Sequence, residues 1–324
     1  MKRLTLCVAV LCSLVVSAPA SAFSKLLVFG DSLVDAGNAQ IGSILLGLPD
    51  PAPAALGYYE GRFSNGPNFA DYLSQSLFGM ETVAYLAGGH NFAVGGAEAA
   101  FKPGEVSPSF LPQLQLFQNL GEPIASDALV LVTFGGNDVR SVLTDLGAID
   151  FTPTLNAFAT GLSALAGAGA QTIIVTGLPD IGKLPDTLAY GDPAIEATAT
   201  ARTIALNAAI EGLTVTLSQL TGTRIDFYHV YAQEQALRAN PGAYGLTNLT
   251  ESCQSGGAAA VLGGCAGYLY FDTIHPTSYV HALLAQGIVN QLPVPEPATW
   301  LLMILGLGMT GVAMRRGGAA LATP

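Results

Sequence analysis

Short apolar runs without in-and-out alternation recur along this chain, at residues 26–29, 128–134 and 171–176, each closed off by small or polar residues, and a further strand is expected at 223–227. Runs of that length and bounding predict strands of a parallel sheet buried on both faces. Between them, apolar positions recur at helical spacing: Phe69, Tyr72, Leu73 and Leu77, then Leu114, Phe117 and Leu120, then a long Ala-rich segment. Helices are expected at 34–46, 67–78, 111–120, 151–167, 193–220 and 232–238. Pro67 and Pro276 each suit the first turn of a helix, the second helix running on through Tyr279, Leu283, Ile288 and Leu292. The strand at 223–227 is expected to be the last. Strand alternating with helix predicts an α/β fold with a doubly wound parallel sheet in three layers, α/β/α, and an active site beyond the carboxyl ends of the strands.

The two ends stand outside this pattern. Residues 1–22 open on Lys2 and Arg3, continue through an apolar core and close on Ala20-Ser21-Ala22, the layout of a secretory signal peptide cut after Ala22. Near the other end, residues 298–314 carry no charge for 17 positions, with Trp300 at one flank and Arg315-Arg316 at the other. That is close to the shortest run that spans a bilayer as a helix, so membrane contact is expected through 298–314. With Pro295-Glu296-Pro297 ahead of it, this tail resembles the PEP-CTERM sorting signal. The resemblance implies processing by an exosortase-type enzyme and a place in the periplasm, at the cell surface or in the extracellular matrix of a Gram-negative bacterium. The chain thus divides into a signal peptide at 1–22, one large domain at 23–293, a sorting segment at 294–317 and a tail at 318–324.

Setting aside Lys2, Arg3, Arg315, Arg316 and Glu296 leaves 22 acidic against 8 basic side chains in the mature part, a net charge of −14. Nucleic acid is therefore not expected as a partner, since phosphate contacts need a basic face. Cys253 and Cys265, twelve apart in a Gly-rich stretch of an exported chain, read as a disulfide stapling that loop rather than as catalytic or metal-binding thiols. Without a second Cys pair or an HExxH motif, neither a metal nor a cofactor is expected.

Polar residues cluster where the strands end. The first run stops at Gly30 and is followed by Asp31-Ser32, which makes Ser32 a candidate nucleophile, though by itself it reads equally as a helix cap. The second run ends in Gly135-Gly136-Asn137-Asp138, and the pair Gly95-Gly96 allows a close backbone approach. Asp272 and His275 lie three apart, so the carboxylate can hold imidazole Nδ1 and leave Nε2 to take a proton from a hydroxyl. Ester hydrolysis by serine needs a nucleophile, a base, a group that orients the base, and donors for the oxyanion. Ser32, His275 and Asp272 supply the first three; the Ser32 N–H, an N–H of Gly95 or Gly96, and the Asn137 amide supply the last. His90, His229 and His281 compete for the role of base. Asp31 and Asp138 are expected to shape turns, and Tyr58, Tyr59, Tyr268 and Tyr270 to pack, with the lining of an acyl or sugar pocket as the alternative.

FGDSLVDAGN (29–38), NFAVGGA (91–97), GGND (135–138) and DTIHP (272–276) resemble, in order and surroundings, four blocks of the GDSL lipase/esterase family, the SGNH hydrolases. GRFSNG, GLPDIG and NPGAYGLTN look like its longer plant and bacterial branch, and the likeness spans nearly the whole mature chain. It implies a flavodoxin-like sheet, with Ser32 as nucleophile, His275 as base, Asp272 as its partner, and Gly95 and Asn137 as oxyanion donors beside Ser32. Gly96 remains the alternative to Gly95. The chain lacks the GxSxG elbow of the α/β-hydrolases. The function implied is an exported serine esterase or lipase acting on acyl lipid, a short-chain ester or an acetylated polysaccharide. An acyltransferase with the same intermediate and a non-catalytic surface or matrix-binding protein are the alternatives.

Overall fold

The computed structural model describes residues 23–292, with residues 306, 308 and 310 of the tail. Residues 1–22, where a signal peptide is expected, the remainder of the sorting segment and the last residues lie outside the described residues. Four strands, β1 (Lys25–Gly30), β2 (Ala128–Thr133), β3 (Thr172–Thr176) and β4 (Arg224–Tyr228), pair in parallel in that order. Residues 90–94 add a rudimentary fifth member on the outer edge of β1. The Val28 N–H donates to His90 O, and the N–H groups of Phe92 and Val94 donate to Val28 and Gly30.

That edge makes the sheet doubly wound. From β1 the chain passes through α1 (Asn38–Leu45) and α2 (Phe69–Phe78) to the 90–94 edge, then through α3 (Phe110–Asn119) to β2 on the other side of β1. The direction of winding reverses between β1 and β2, and the crevice at their carboxyl ends is where such folds place ligands. Beyond β2 come α4 (Gly136–Arg140), α5 (Thr152–Gly167), β3, α6 (Pro185–Leu188), the long α7 (Pro193–Thr221), β4 and α8 (Val230–Ala239).

Alternate strand residues bury into two separate cores, as period-two geometry requires. Leu27, Phe29, Val130, Val132, Ile173 and Val175 pack with α3, α5 and α7 on one face. Leu26, Val28, Leu129, Leu131 and Ile174 pack on the other with α2 and with α10 (Ser278–Gln291). This is the three-layer α/β/α arrangement.

The differences from expectation lie at element ends and after β4. Helix α1 begins at Asn38 rather than 34 because the Asp35 carboxylate captures the N–H groups of Gly37 and Asn38 and Gly37 sits at φ 110°. Pro67 and Pro276 precede their helices: Asn68 caps α2 in a reciprocal pair with Asp71, and α10 starts at Ser278 after Thr277. The strand at 223–227 is not the last, since β5 (Asn248–Ser252) and β6 (Tyr268–Tyr270) form a small parallel sheet. Between these two, Cys253 and Cys265 are joined in a disulfide around the short α9 (Gly257–Leu262). Among the described residues no helix is long and apolar enough to cross a membrane; the span expected at 298–314 lies outside them except at 306, 308 and 310.

Candidate active site

Gly30 closes β1 because nothing larger fits: a Cβ there would come within 2.7 Å of Thr133 O and 2.5 Å of Val34 Cγ2. The Gln113 amide, from α3, donates to Gly30 O and accepts from Gly30 N, at 2.8 and 2.9 Å, pinning this strand end from both sides. The turn that follows presents Ser32. Its Oγ lies 2.7 Å from His275 Nε2, although 243 residues separate the two. His275 Nδ1 lies 2.7 Å from Asp272 Oδ2. A carboxylate can only accept, so the proton sits on Nδ1 and Nε2 is left to accept from Ser32.

Asp272 is itself held. The N–H groups of Ile274 and His275 donate to its Oδ1, and the Tyr58 hydroxyl donates to Oδ2 at 2.8 Å. Burial alone would raise this carboxyl, but the charge and ring hydrogen bond of His275, with the N–H groups of His275 and Ile274, outweigh it and bring it down to about 2. Tyr58 is pushed well above the ordinary phenol range by burial and by the neighbouring carboxylate, so it stays a donor. Its ring packs edge-on against Phe271, 5.0 Å away, beside the disulfide.

The oxyanion side separates the two glycines. Gly95 N–H donates to Asp35 Oδ2 at 2.8 Å and is committed there, while Gly96, at φ 82°, has no hydrogen-bond partner for its N–H among the described residues. The Gly95 donor expected from the sequence is therefore taken. Nor can Gly95 carry a side chain, as a Cβ would fall 2.3 Å from the Phe63 ring, which also lies 5.2 Å from the His275 ring. The Ser32 N–H is likewise unclaimed. Asn137 donates one amide hydrogen to Ala97 O at 2.9 Å and keeps the other, and Arg140 donates to its Oδ1, which fixes the orientation of the amide.

The flanking acids behave as shapers of turns. Asp31 accepts from the Leu33 N–H, and burial pushes it up to about 7, reinforced by Asp138 and opposed by the Leu33 N–H, His275 and Arg140. Burial raises Asp35 to about 6 against four backbone N–H groups. Asp138 binds Thr154 Oγ1 and the N–H groups of Ala99 and Ala100. The competing histidines are engaged elsewhere. His281 is buried, driven down to about 3 chiefly by that burial, and accepts from the Phe69 N–H. His90 pairs with Glu122 and His229 with Glu211.

Ser32 can thus pass its proton to His275, which Asp272 orients, beside a set of donors with free hydrogens. The family model for the GDSL-like lipase/acylhydrolase matches residues 26–288. The chain belongs to this family. Similar proteins include a phosphatidylcholine-sterol acyltransferase of Aeromonas hydrophila, 26% identical, covering 88% of this chain and 96% of its own. A GDSL esterase/lipase of Arabidopsis thaliana is 28% identical, covering 81% and 85%. A solved acetyl-xylooligosaccharide esterase of Geobacillus aligns at 16% identity and a TM-score of 0.41 over 84% of this chain and 95% of its own, too loose a likeness to bear on substrate. The PEP-CTERM protein-sorting motif matches residues 293–317 and marks this GDSL hydrolase for export and sorting.

Three contributors to the GDSL site escape a reading of the sequence. Gln113, Arg140 and Tyr58 carry no local signature, and Tyr58 and Gln113 reach partners 214 and 83 residues away.

Proposed function

We propose that the chain cleaves carboxylic esters through an acyl-enzyme on Ser32. The observation that carries this is the 2.7 Å contact of Ser32 Oγ with His275 Nε2, with Asp272 2.7 Å behind the ring. His275 takes the Ser32 proton as Oγ attacks the ester carbonyl, and the oxyanion is held by the N–H groups of Ser32 and Gly96 and the free amide hydrogen of Asn137. His275 then protonates the departing alcohol. Water attacks the acyl-serine with His275 again as base, and Asp272 keeps Nδ1 protonated and the ring oriented throughout. Outside the cell, the sorting motif supports processing by an exosortase-type enzyme and a periplasmic or surface location.

A second reading shares the same intermediate: an acceptor alcohol in place of water gives an acyltransferase. The Aeromonas hydrophila relative, which bears that name, favours it. Product analysis with and without an added alcohol separates the two.

Asn137→Ala tests the oxyanion assignment. Losing one such donor typically costs about 100- to 1,000-fold in kcat. We expect that loss on p-nitrophenyl butyrate with KM little changed, because the interaction forms in the transition state. A variant that keeps kcat within a few-fold would remove Asn137 from the site.

A further inference from the structure

We infer that the groove running from Gly96 toward α1 takes the acyl chain of the substrate, so that this enzyme selects medium- and long-chain esters over acetyl esters. The inference rests on the acyl-Ser32 reading above and deepens it.

The cavity has a volume of about 490 Å³, within the ~300–1,000 Å³ of small-molecule sites. Phe63, Gly95 and the exposed Gly96 are among its lining residues. The Phe63 ring is tilted against that of His275, 5.2 Å away, and Gly96, the donor proposed above, lines the groove, so the groove borders the reacting centre. An ester whose carbonyl oxygen sits on the Gly96 N–H has its leaving oxygen turned toward His275 Nε2, which must protonate it. The acyl carbons leave the carbonyl along the remaining direction, and the groove is the apolar space beside Gly96 that can receive them. None of the residues lining the groove is charged. Its walls are largely hydrocarbon, from Phe92, Val94 and Leu116 within to Leu46, Leu86 and Val106 at the mouth. Leu46 is 71% and Val106 86% exposed, so the apolar surface continues beyond the cavity and suits a chain that outruns it. A saccharide or a charged headgroup would find few hydrogen-bonding partners here.

Gly42 of α1 lines this groove with an ordinary helical backbone, and a Cβ there would meet only Leu86 Cδ1 at 3.7 Å. Gly42→Phe therefore fills the groove from a tolerant position, and Leu46→Glu puts a charge at the mouth from an exposed one. The measurement is kcat/KM on p-nitrophenyl acetate, butyrate, octanoate and decanoate, each below its aggregation limit, and on decyl acetate.

Each buried methylene is worth roughly fourfold, so butyrate to octanoate is expected to gain on the order of 100-fold in the wild type. Gly42→Phe and Leu46→Glu should each cut that gain by at least ~10-fold, while circular dichroism shows both folded. A flat chain-length profile with acetate turned over would overturn the inference and leave the esterase standing. So would a profile unchanged in both variants, or a gain that follows the alcohol of decyl acetate instead of the acyl chain. No turnover of any ester, or turnover that survives Ser32→Ala, would remove the reading beneath it as well.

Discussion

Ser32→Ala is expected to lower kcat on p-nitrophenyl butyrate by at least ~10,000-fold while leaving the melting temperature within a few degrees of the wild type. The size of the effect follows from the mechanism, because alanine offers no atom to which an acyl group can be transferred. Whatever turnover remains comes from water attacking an ester held in the oxyanion site. The fold has little stake in the hydroxyl: Oγ makes its one hydrogen bond to His275, and the elements on either side are fixed by Gly30, Gln113 and Asp31. A loss of activity accompanied by unfolding would point instead to a structural serine. A non-catalytic surface protein on this fold would show no turnover to lose.

Asp272→Asn should come next in size, with a fall in kcat of roughly 10,000-fold. Asparagine keeps the shape, and its Oδ1 can still accept from the Ile274 and His275 N–H groups. Its amide nitrogen, however, would face His275 Nδ1, so the ring turns to the tautomer with hydrogen on Nε2 and cannot accept from Ser32. The Tyr58 hydroxyl, which now donates to Oδ2, would meet a donor there and could keep the contact only by turning its own hydrogen away and accepting. Since Asp272 is held at about 2, it stays ionised throughout the range where esters are conveniently assayed. The pH–rate profile of the wild type above pH ~4 should therefore carry no step from this carboxyl. Rates for the variant within tenfold of the wild type would contradict the role given to Asp272.

The sheet was legible in the sequence because strands buried on both faces leave a signal that does not depend on partners. The run at 128–134 is apolar except for Thr133 and stops at Gly135. Ser32, Asp272 and His275 were legible for a related reason, as each sits at a strand end or in a turn where polar residues interrupt apolar text. Contacts across long separations were not. Gln113, Arg140 and Tyr58 look like ordinary helix and loop residues until the fold sets them beside Gly30, Asn137 and Asp272. Gly95 and Gly96 are indistinguishable as neighbours in a sequence; only the Asp35 carboxylate, which takes the Gly95 N–H, separates them. Helix starts shifted wherever a side chain caught backbone N–H groups first, as Asp35 does before α1 and Asn68 before α2. The β5–β6 pair escaped notice because its strands are short, and β5 is largely exposed, without an apolar run.

The central claim is that Ser32 is acylated with His275 as its base, and covalent capture tests it most directly. The exported protein is treated with a fluorophosphonate, and the adduct is located by peptide mass spectrometry in the wild type and in His275→Ala. The account predicts one adduct, on Ser32, with activity lost in step with labelling and the rate of labelling falling steeply in His275→Ala. Ester turnover that continues after complete labelling of Ser32, or an inactivating adduct on any other residue, would contradict it.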